Sequence, residues 1–394
     1  MPSVVLALNA GSSSLKFGLY EARSSKELRS IARGAVGLGD VPSLTAMAPD
    51  GKTLLEKELP GSSLEDLIGK LLFWAEDQAG RKVAAVGHRI VHGGSRFSDP
   101  VLLTPDVIDE VEKLTPLAPL HQPRSVAPIR ALAAVRPNLL QIGCFDTAFH
   151  RTMDAMASRY ALPRRFEARG IRRYGFHGLS YEYIASRLEQ MAPERAAGRI
   201  VVAHLGNGAS LCALHDGRSV DTTMGFSALD GLVMGTRCGA IDPGVLLYLL
   251  QEERHSPAQL QHLLYEESGL LGVSGISSDV RVLSESDDPR AREALELFAF
   301  RAAREVAALV NTLGGLDGLV FTAGIGEHSA PIRAAICARL EWLGVKIDHD
   351  ANEAHEVLIS AAYSAVEVRV IPADEESMLA GHVISLMEAI RHKG

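Results

Sequence analysis

Cysteine is scarce. The chain has four in 394 residues, Cys144, Cys212, Cys238 and Cys337, far apart and without a C-x-x-C pair. That spacing excludes a disulfide framework and a thiolate zinc site, and leaves reduced thiols of the kind cytoplasmic proteins carry. No apolar run approaches the ~18 residues needed to span a bilayer. The N-terminus has no basic segment before Val4 and no small-residue cleavage site after a long apolar stretch. The expectation is a soluble, cytoplasmic protein without a membrane partner. Positive charge is in deficit: Lys and Arg total 40 against 48 Asp and Glu, a formal net charge of −8, with no long basic run. This argues against nucleic acid as the main partner. It leaves room for a few phosphates bound locally.

What is present is ordinary in bulk: 47% apolar and 22% charged residues, the balance of a soluble globular protein. The length exceeds one typical core, so two domains are expected. Strand and helix patterns alternate, which predicts an α/β fold. Thr104 and Pro105 open a helix in "LTPDVIDEVEKL", "PRSVAPIRALAAV" reads as another, and Ser180 is expected to cap "YEYIASRLEQM". "AREALELFAFRAAREVAALVNTLGG" is a long amphipathic helix stopped by Gly314 and Gly315. "DGLVFTAGIGEHSAPIRAAI" reads as strand, glycine turn, helix. "EVRVIPADEESMLAGHVISLMEAI" reads as strand, then terminal helix.

The stretch "LNAGSSSLKFGLY" (8–20) sets Lys16 after a loop rich in N–H groups and hydroxyls. It is not a P-loop, which leads into a helix. Leu15, Phe17 and Leu19 alternate with Lys16, Gly18 and Tyr20, so a strand follows. An echo appears at a constant offset of 196: "HLGNGASLCALHDG" (204–217) places Ser210 on Ser14 and Leu211 on Leu15. Two copies of one domain would present two phosphate-gripping hairpins.

Several other stretches carry chemistry, each with a plain alternative. His88 and His92 in "GHRIVHGG" have i, i+4 spacing, but the glutamate of H-E-x-x-H is missing and the segment reads as strand. On a strand the two rings lie roughly 13 Å apart, too far for one metal. Arg89 and Val91 then share a face, a guanidinium beside a small apolar group. That suits a short carboxylic acid, or a structural ion pair. Asp146 follows the apolar run "LLQIGCF", at a strand end where it faces a ligand or caps a turn. His177 lies between glycines just before a helix. Gly206, Asn207 and Gly208 allow N–H groups to converge on an anion, or form an ordinary turn. Arg237 on a loop of small residues suits a transferring phosphoryl group. "AGIGEH" (323–328) fits a nucleotide seat. Asp279 and Arg281 close a polar loop that is equally a surface salt bridge. Asp374, Glu375 and Glu376 crowd a helix start, explained by the helix dipole or by magnesium. Together these stretches ask for phosphates, a divalent cation and a small anion.

In this order, from "NAGSSSLKF" through "GHRIVHGG", "CFDTAFH", "YGFHGLS", "HLGNGAS", "MGTR" and "AGIGEH" to "EES", the motifs resemble the acetate/propionate/butyrate kinase family. The resemblance covers nearly the whole chain. It implies a duplicated actin-like (ribonuclease H-like) ATPase fold, βββαβαβα in each of two domains, with the active site in a central cleft. The expected domains are 1–150 and 151–375, the helix at about 376–394 packing back on the first. The implied activity is acetate kinase: reversible, Mg²⁺-dependent (or Mn²⁺-dependent) transfer from ATP to acetate, giving acetyl phosphate and ADP in a homodimer. Carried over by motif, Asp146, His177 and Arg237 are catalytic. Arg89, Val91, Leu120 and Phe176 bind the acid. Lys16, His204, Leu205, Gly206, Asn207, Gly208, Asp279, Val280, Arg281, Gly324, Ile325, Gly326, Glu327 and His328 bind the nucleotide. Asn9 and Glu375 hold the metal, with Glu376 as the fallback.

This chain departs from the family pattern at Ala228, where many relatives carry a pocket proline, and at Cys238, Ala240 and Ala373. Ala228 widens or loosens the acyl pocket and keeps propionate kinase as an alternative. An ATP-dependent clamp of the Hsp70 or actin type is the alternative from another class, in which Arg89, Val91 and Arg237 have no evident task. Carboxylic acids titrate near about 4, so the nucleophile is already ionised and needs no general base. Asp146 is therefore expected to organise the metal or the in-line geometry. Direct transfer is the simplest route, with a phosphoenzyme left open.

Overall fold

A computed structural model describes residues 2–11, 13–25 and 27–393. Ser12 of the first glycine-serine loop, and Met1 and Gly394 at the ends of the expected domains, lie outside the described residues. The chain divides into two compact units: Met1–Phe149 with Asp374–Gly394, and His150–Ala373.

In the first unit, the opening alternation makes a hairpin of β1 (Ser3–Ala10) and β2 (Ser14–Ser24), continued by β3 (Glu27–Gly37), β4 (Ser43–Met47) and β5 (Thr53–Glu58). The parallel strands β6 (Val83–Ile90) and β8 (Leu140–Phe145), with the short β7 (Val101–Leu102), complete the sheet. The order is β5-β4-β3-β2-β1-β6-β8-β7. Period 2 sorts the side chains. Leu6, Leu8, Leu15, Phe17 and Leu19 pack with Leu67, Ile68, Leu71 and Leu72 of the Leu64–Ala79 helix. That helix is opened by a reciprocal Ser63–Asp66 capping box and stopped by Gly80 at φ 65°. Each fully buried aliphatic contributes about 1.5–3 kcal/mol.

The opposite sheet face receives the terminal helix Glu375–Lys393, which packs on β1, β2 and β6. Glycines on this face let it approach. A Cβ on Gly87 would stand 2.6 Å from Val383, and one on Gly18 3.0 Å from the Cβ of Glu376.

The second unit repeats the plan: β9 (Arg199–Leu205), β10 (Ala209–His215), β11 (Arg218–Thr222), β12 (Gly318–Thr322) and β13 (Glu367–Val370), ordered β11-β10-β9-β12-β13. Its first three strands pair antiparallel and its last two parallel, as β3-β2-β1-β6-β8 do. The Pro289–Leu313 helix lies on this sheet and ends at Gly314, φ 69°.

Four sequence expectations are corrected. The constant offset of 196 breaks inside the hairpin: Leu15 faces Ala10, but Leu211 faces Ala203, three positions from the matching Gly206. The second turn is tighter, because Gly206–Gly208 closes it within three residues. Ser180 does not cap its helix, which begins at Gly178 after His177; its hydroxyl bonds His204 instead. "AGIGEH" is not a glycine turn but a short helix of its own, Ala323–His328, followed by a second, Ala330–Ala338. Finally, β6 ends at Ile90, so Val91 lies just past the strand that carries Arg89.

Candidate active site

In the first unit the site residues gather at the carboxyl ends of β1, β6 and β8. Asn9 and Lys16 face each other across the β1–β2 ladder, hence on one side of the sheet. That is the side opposite the Leu15–Phe17–Leu19 core and beneath the start of the terminal helix. Arg89 on β6 shares this side with Gly87, two residues earlier. Asp146 follows β8, its amide bonded to the Ile90 carbonyl.

The Arg89 guanidinium grips Asp146 with two bonds, Nε to Oδ1 at 2.9 Å and Nη2 to Oδ2 at 2.5 Å. Its Nη1 donates to Asn9 Oδ1 at 3.1 Å, and Glu375 Oε2 is 3.7 Å from Nε. Burial works against the charge on Arg89, but Asp146 and Glu375 outweigh it and hold the group firmly protonated. These bonds engage three of its five N–H groups.

Asn9 turns its amide nitrogen to the acidic pair, Glu375 Oε2 at 2.9 Å and Glu376 Oε1 at 3.1 Å. Glu376 is pushed above the usual carboxylate range, first by burial and then by the neighbouring Glu375 charge, with Asn9 and Lys16 pulling the other way. Two crowded carboxylates, one resisting ionisation, form an oxygen donor set that suits a hard cation. Mg²⁺ commonly takes only one or two carboxylates and fills its other positions with water and phosphate. A set this small therefore fits it. Asn9 presents N–H, not oxygen, to the carboxylates, so in this arrangement it orients them.

Val91 is buried and Leu120 half-buried in a turn. Buried Gln122 bonds both main-chain groups of His92, at 3.1 Å each, and so ties the two segments. His88 is fully enclosed, and burial holds its ring neutral, its pKa pushed down to about 3. Among the described residues no cluster of three or more His, Cys, Asp or Glu could hold a metal.

In the second unit the groups surround the β9–β10 turn. A Cβ on Gly208 would stand 2.7 Å from Arg237 Nη2 and 3.4 Å from His177 Nε2. Only glycine admits both side chains over the turn. Arg237 Nη1 is anchored on the Ala228 carbonyl at 2.6 Å, and the Asn207 carbonyl takes the amide of Gly235 at 3.1 Å. His177 sits at φ 57°, a left-handed conformation costing a non-glycine residue roughly 1–2 kcal/mol. Its ring stacks on His204, centroids 4.1 Å apart and 18° from parallel. Phe176, just before it, is buried, its carbonyl 2.9 Å from His150 Nε2.

Ala323, also left-handed at φ 64°, starts the Ala323–His328 helix. Its Cβ is 3.8 Å from a Cβ placed on Gly206, while Gly324 faces open space. Ile325, Gly326 and Glu327 follow in this helix. Glu327 Oε1 takes the Ala373 amide at 3.0 Å. The helix end is held by Arg333, which is fully buried. Its five N–H groups reach the carbonyls of Gly326, Glu327 and Asn352, the side chain of Asn352 and the ring of His355. No carboxylate is among these partners. Sequence reading missed Arg333 because its helix pattern predicts no buried cation there. It missed Ser210 and Tyr181, discussed below, because hydroxyls on strands and helices carry no motif.

Two of the residues expected to meet the nucleotide have exposed side chains. Arg281 pairs with Asp279 at 2.6 Å and is largely exposed. Asp279 caps the Val280–Ser284 helix, which matches the surface-salt-bridge alternative. His328 is also exposed and turns toward His355.

The sequence pattern of the acetokinase family matches residues 4–381. An acetate kinase of Rhodopseudomonas palustris (strain TIE-1) is 52% identical over 99% of this chain and 100% of its own. One from Rhizobium meliloti is 46% identical over 98% of each. Among solved structures, a Francisella tularensis propionate kinase superposes with a TM-score of 0.89 at 37% identity, over 96% of this chain and 98% of its own. A Porphyromonas gingivalis acetate kinase superposes at 0.86 and 38%, over 98% and 100%. The match over residues 4–381 and the full-length similarity to acetate kinases agree: the chain belongs to the acetokinase family.

Proposed function

We infer that this protein is an acetate kinase, catalysing ATP + acetate ⇌ ADP + acetyl phosphate. The observation that carries the reading is the end-to-end match to acetate kinases, 52% identical over 99% of the chain. The clustered side chains supply the chemistry. An acetate oxygen attacks the γ-phosphorus, the bond to the β-bridging oxygen breaks, and ADP leaves with that electron pair. The acid is already ionised at neutral pH, so the obstacle is repulsion between anions.

In this proposal the two remaining N–H donors of Arg89 take the acetate carboxylate, with Val91, Leu120 and Phe176 bounding its methyl group. Asp146 fixes the guanidinium plane. Arg237 and His177 donate to the transferring phosphoryl group, and Lys16 to ATP phosphate. His204–Gly208, Asp279–Arg281 and Gly324–His328 receive the nucleotide. Glu375, with Glu376 beside it and Asn9 orienting both, would hold Mg²⁺ (or Mn²⁺), which neutralises phosphate charge when bound.

Propionate is the second reading, favoured by Ala228 and by the likeness to a propionate kinase. Hydroxamate capture of acyl phosphate, run as a kcat/KM series over acetate, propionate and butyrate, tests both. Acetate as the best substrate is the expected result. A preference for propionate transfers the assignment, and no acyl phosphate from any acid removes it.

We also propose a cytoplasmic homodimer. Four free cysteines suit a reducing compartment. Among the described residues no helix is long and apolar enough to cross a membrane. The Pro243–Gln251 helix, "PGVLLYLLQ", buries none of its residues and exposes Val245, Leu247 and Tyr248. An apolar surface of this kind suits a second copy.

A further inference from the structure

Beneath His177 lies a short chain of buried hydroxyls. Its Nδ1 is 2.8 Å from Ser210 Oγ, and Ser210 Oγ is 2.5 Å from Tyr181 OH. Both Ser210 and Tyr181 have zero exposure, so neither hydroxyl can turn to solvent. Each carries one proton that needs an acceptor.

Proton counting separates the arrangements. If His177 Nδ1 carried a proton, it would donate to Ser210. Tyr181 would then donate to Ser210 and strand the serine proton, or accept from Ser210 and strand its own. If Nδ1 is the acceptor, Tyr181 donates to Ser210, Ser210 donates to His177, and every proton is placed. Burial pushes the Tyr181 phenol well above its usual range, so it keeps its proton and serves as donor.

The consequence falls on the other ring nitrogen. Nε2 is the atom that approaches the Gly208 turn beside Arg237 Nη2. We propose that the Tyr181–Ser210 pair fixes His177 in the Nε2–H tautomer, so that a neutral imidazole presents a hydrogen-bond donor beside Arg237 to the transferring phosphoryl oxygens. Tyr181 and Ser210 are positioning residues. The wrong tautomer would aim a lone pair at an anion. This inference rests on the reading of His177 as a phosphoryl contact.

The test uses the full-length protein with ¹⁵N-labelled histidine, the His177 signals assigned from His177→Gln. Expected are a proton on Nε2 and a pyridine-like Nδ1. Ser210→Ala should mix the tautomers and lower kcat by about tenfold or more, with KM for ATP and acetate within about threefold. Ser210→Thr, which keeps the hydroxyl, should restore both. Tyr181→Phe preserves the ring shape and carries the same spectral test should Ser210→Ala fail to fold. A wild-type proton on Nδ1 overturns the proposal, as does unchanged kcat in a folded Ser210→Ala. Full kcat in His177→Ala, which leaves no donor there, with the expected tautomer in the wild-type spectrum, overturns only the phosphoryl contact.

Discussion

Arg89 in the first unit is held differently from Arg237 and Arg333 in the second. In the first, Arg89 is matched by carboxylates: Asp146 grips it and Glu375 stands near, while Glu376 crowds the same corner. In the second, Arg237 is anchored on a main-chain carbonyl, and Arg333 spends its donors on carbonyls, an amide and an imidazole. A carbonyl fixes a guanidinium in place without cancelling its charge. In the proposed mechanism that charge faces the transferring phosphoryl group. The first builds an acid-rich corner, the proposed seat of the divalent cation. One strand topology, used twice, thus carries different side chains around its turns and strand ends.

The sharpest way to break this contrast is Arg237→Ala. In the proposed mechanism its charge acts in the transition state, so kcat should fall by about 10²–10³ while KM for ATP changes little. Near-normal kcat in steady-state assays would remove the second unit's proposed role.

Arg89→Ala should raise the acetate KM by about 10–100-fold, the worth of a charge-assisted bond of ~1.5–3 kcal/mol. It also leaves Asp146 buried without its partner, which should lower the melting temperature. An unchanged acetate KM would place the acid elsewhere.

Glu376→Gln sharpens the comparison through pH. The folded state raises this carboxyl above its unfolded value. The protonated form is thus the one the fold favours. That stability is fully present below the unfolded pKa and is lost as pH rises through the folded pKa. Without metal or nucleotide, the variant should melt higher than wild type at neutral pH, and the gap should close in acid. A gap independent of pH would refute the strained acidic corner.

The smallest effect is expected from Ala228→Pro, which would narrow the proposed acyl pocket. Discrimination of acetate from propionate should rise by no more than a methylene's worth, about 1–3 kcal/mol. Unchanged kcat/KM ratios would mean that position 228 does not meet the acyl chain.

Much of this was legible in the residues. Alternation around Lys16 marked a strand, and Thr104–Pro105 marked a helix start; both stand in the structure. The doubled plan was visible as an echo, although the tighter second turn hid the true register. Asp146 was placed at a strand end by the apolar run before it. Its grip on Arg89 was not legible, because the partners are 57 residues apart. The bonds from Asn9 to the acidic pair span 366 and 367 positions, which no local pattern reports. Ser180 misled for a related reason: its local preference for a cap was overridden by a tertiary bond to His204.

Sequence alone determined the kinds of element, because period-2 and period-3.6 burial and the turn chemistry of glycine and proline act over a few neighbours. It also determined the family, through motifs whose order survives along the chain. Tertiary structure decided which charges are matched and which stay exposed to a ligand, where the left-handed backbone at His177 aims its ring, and which hydroxyls lie beneath it. Those outcomes depend on strands and helices brought together from distant parts of the chain, and on the loss of water around them. Neither is encoded within any short stretch.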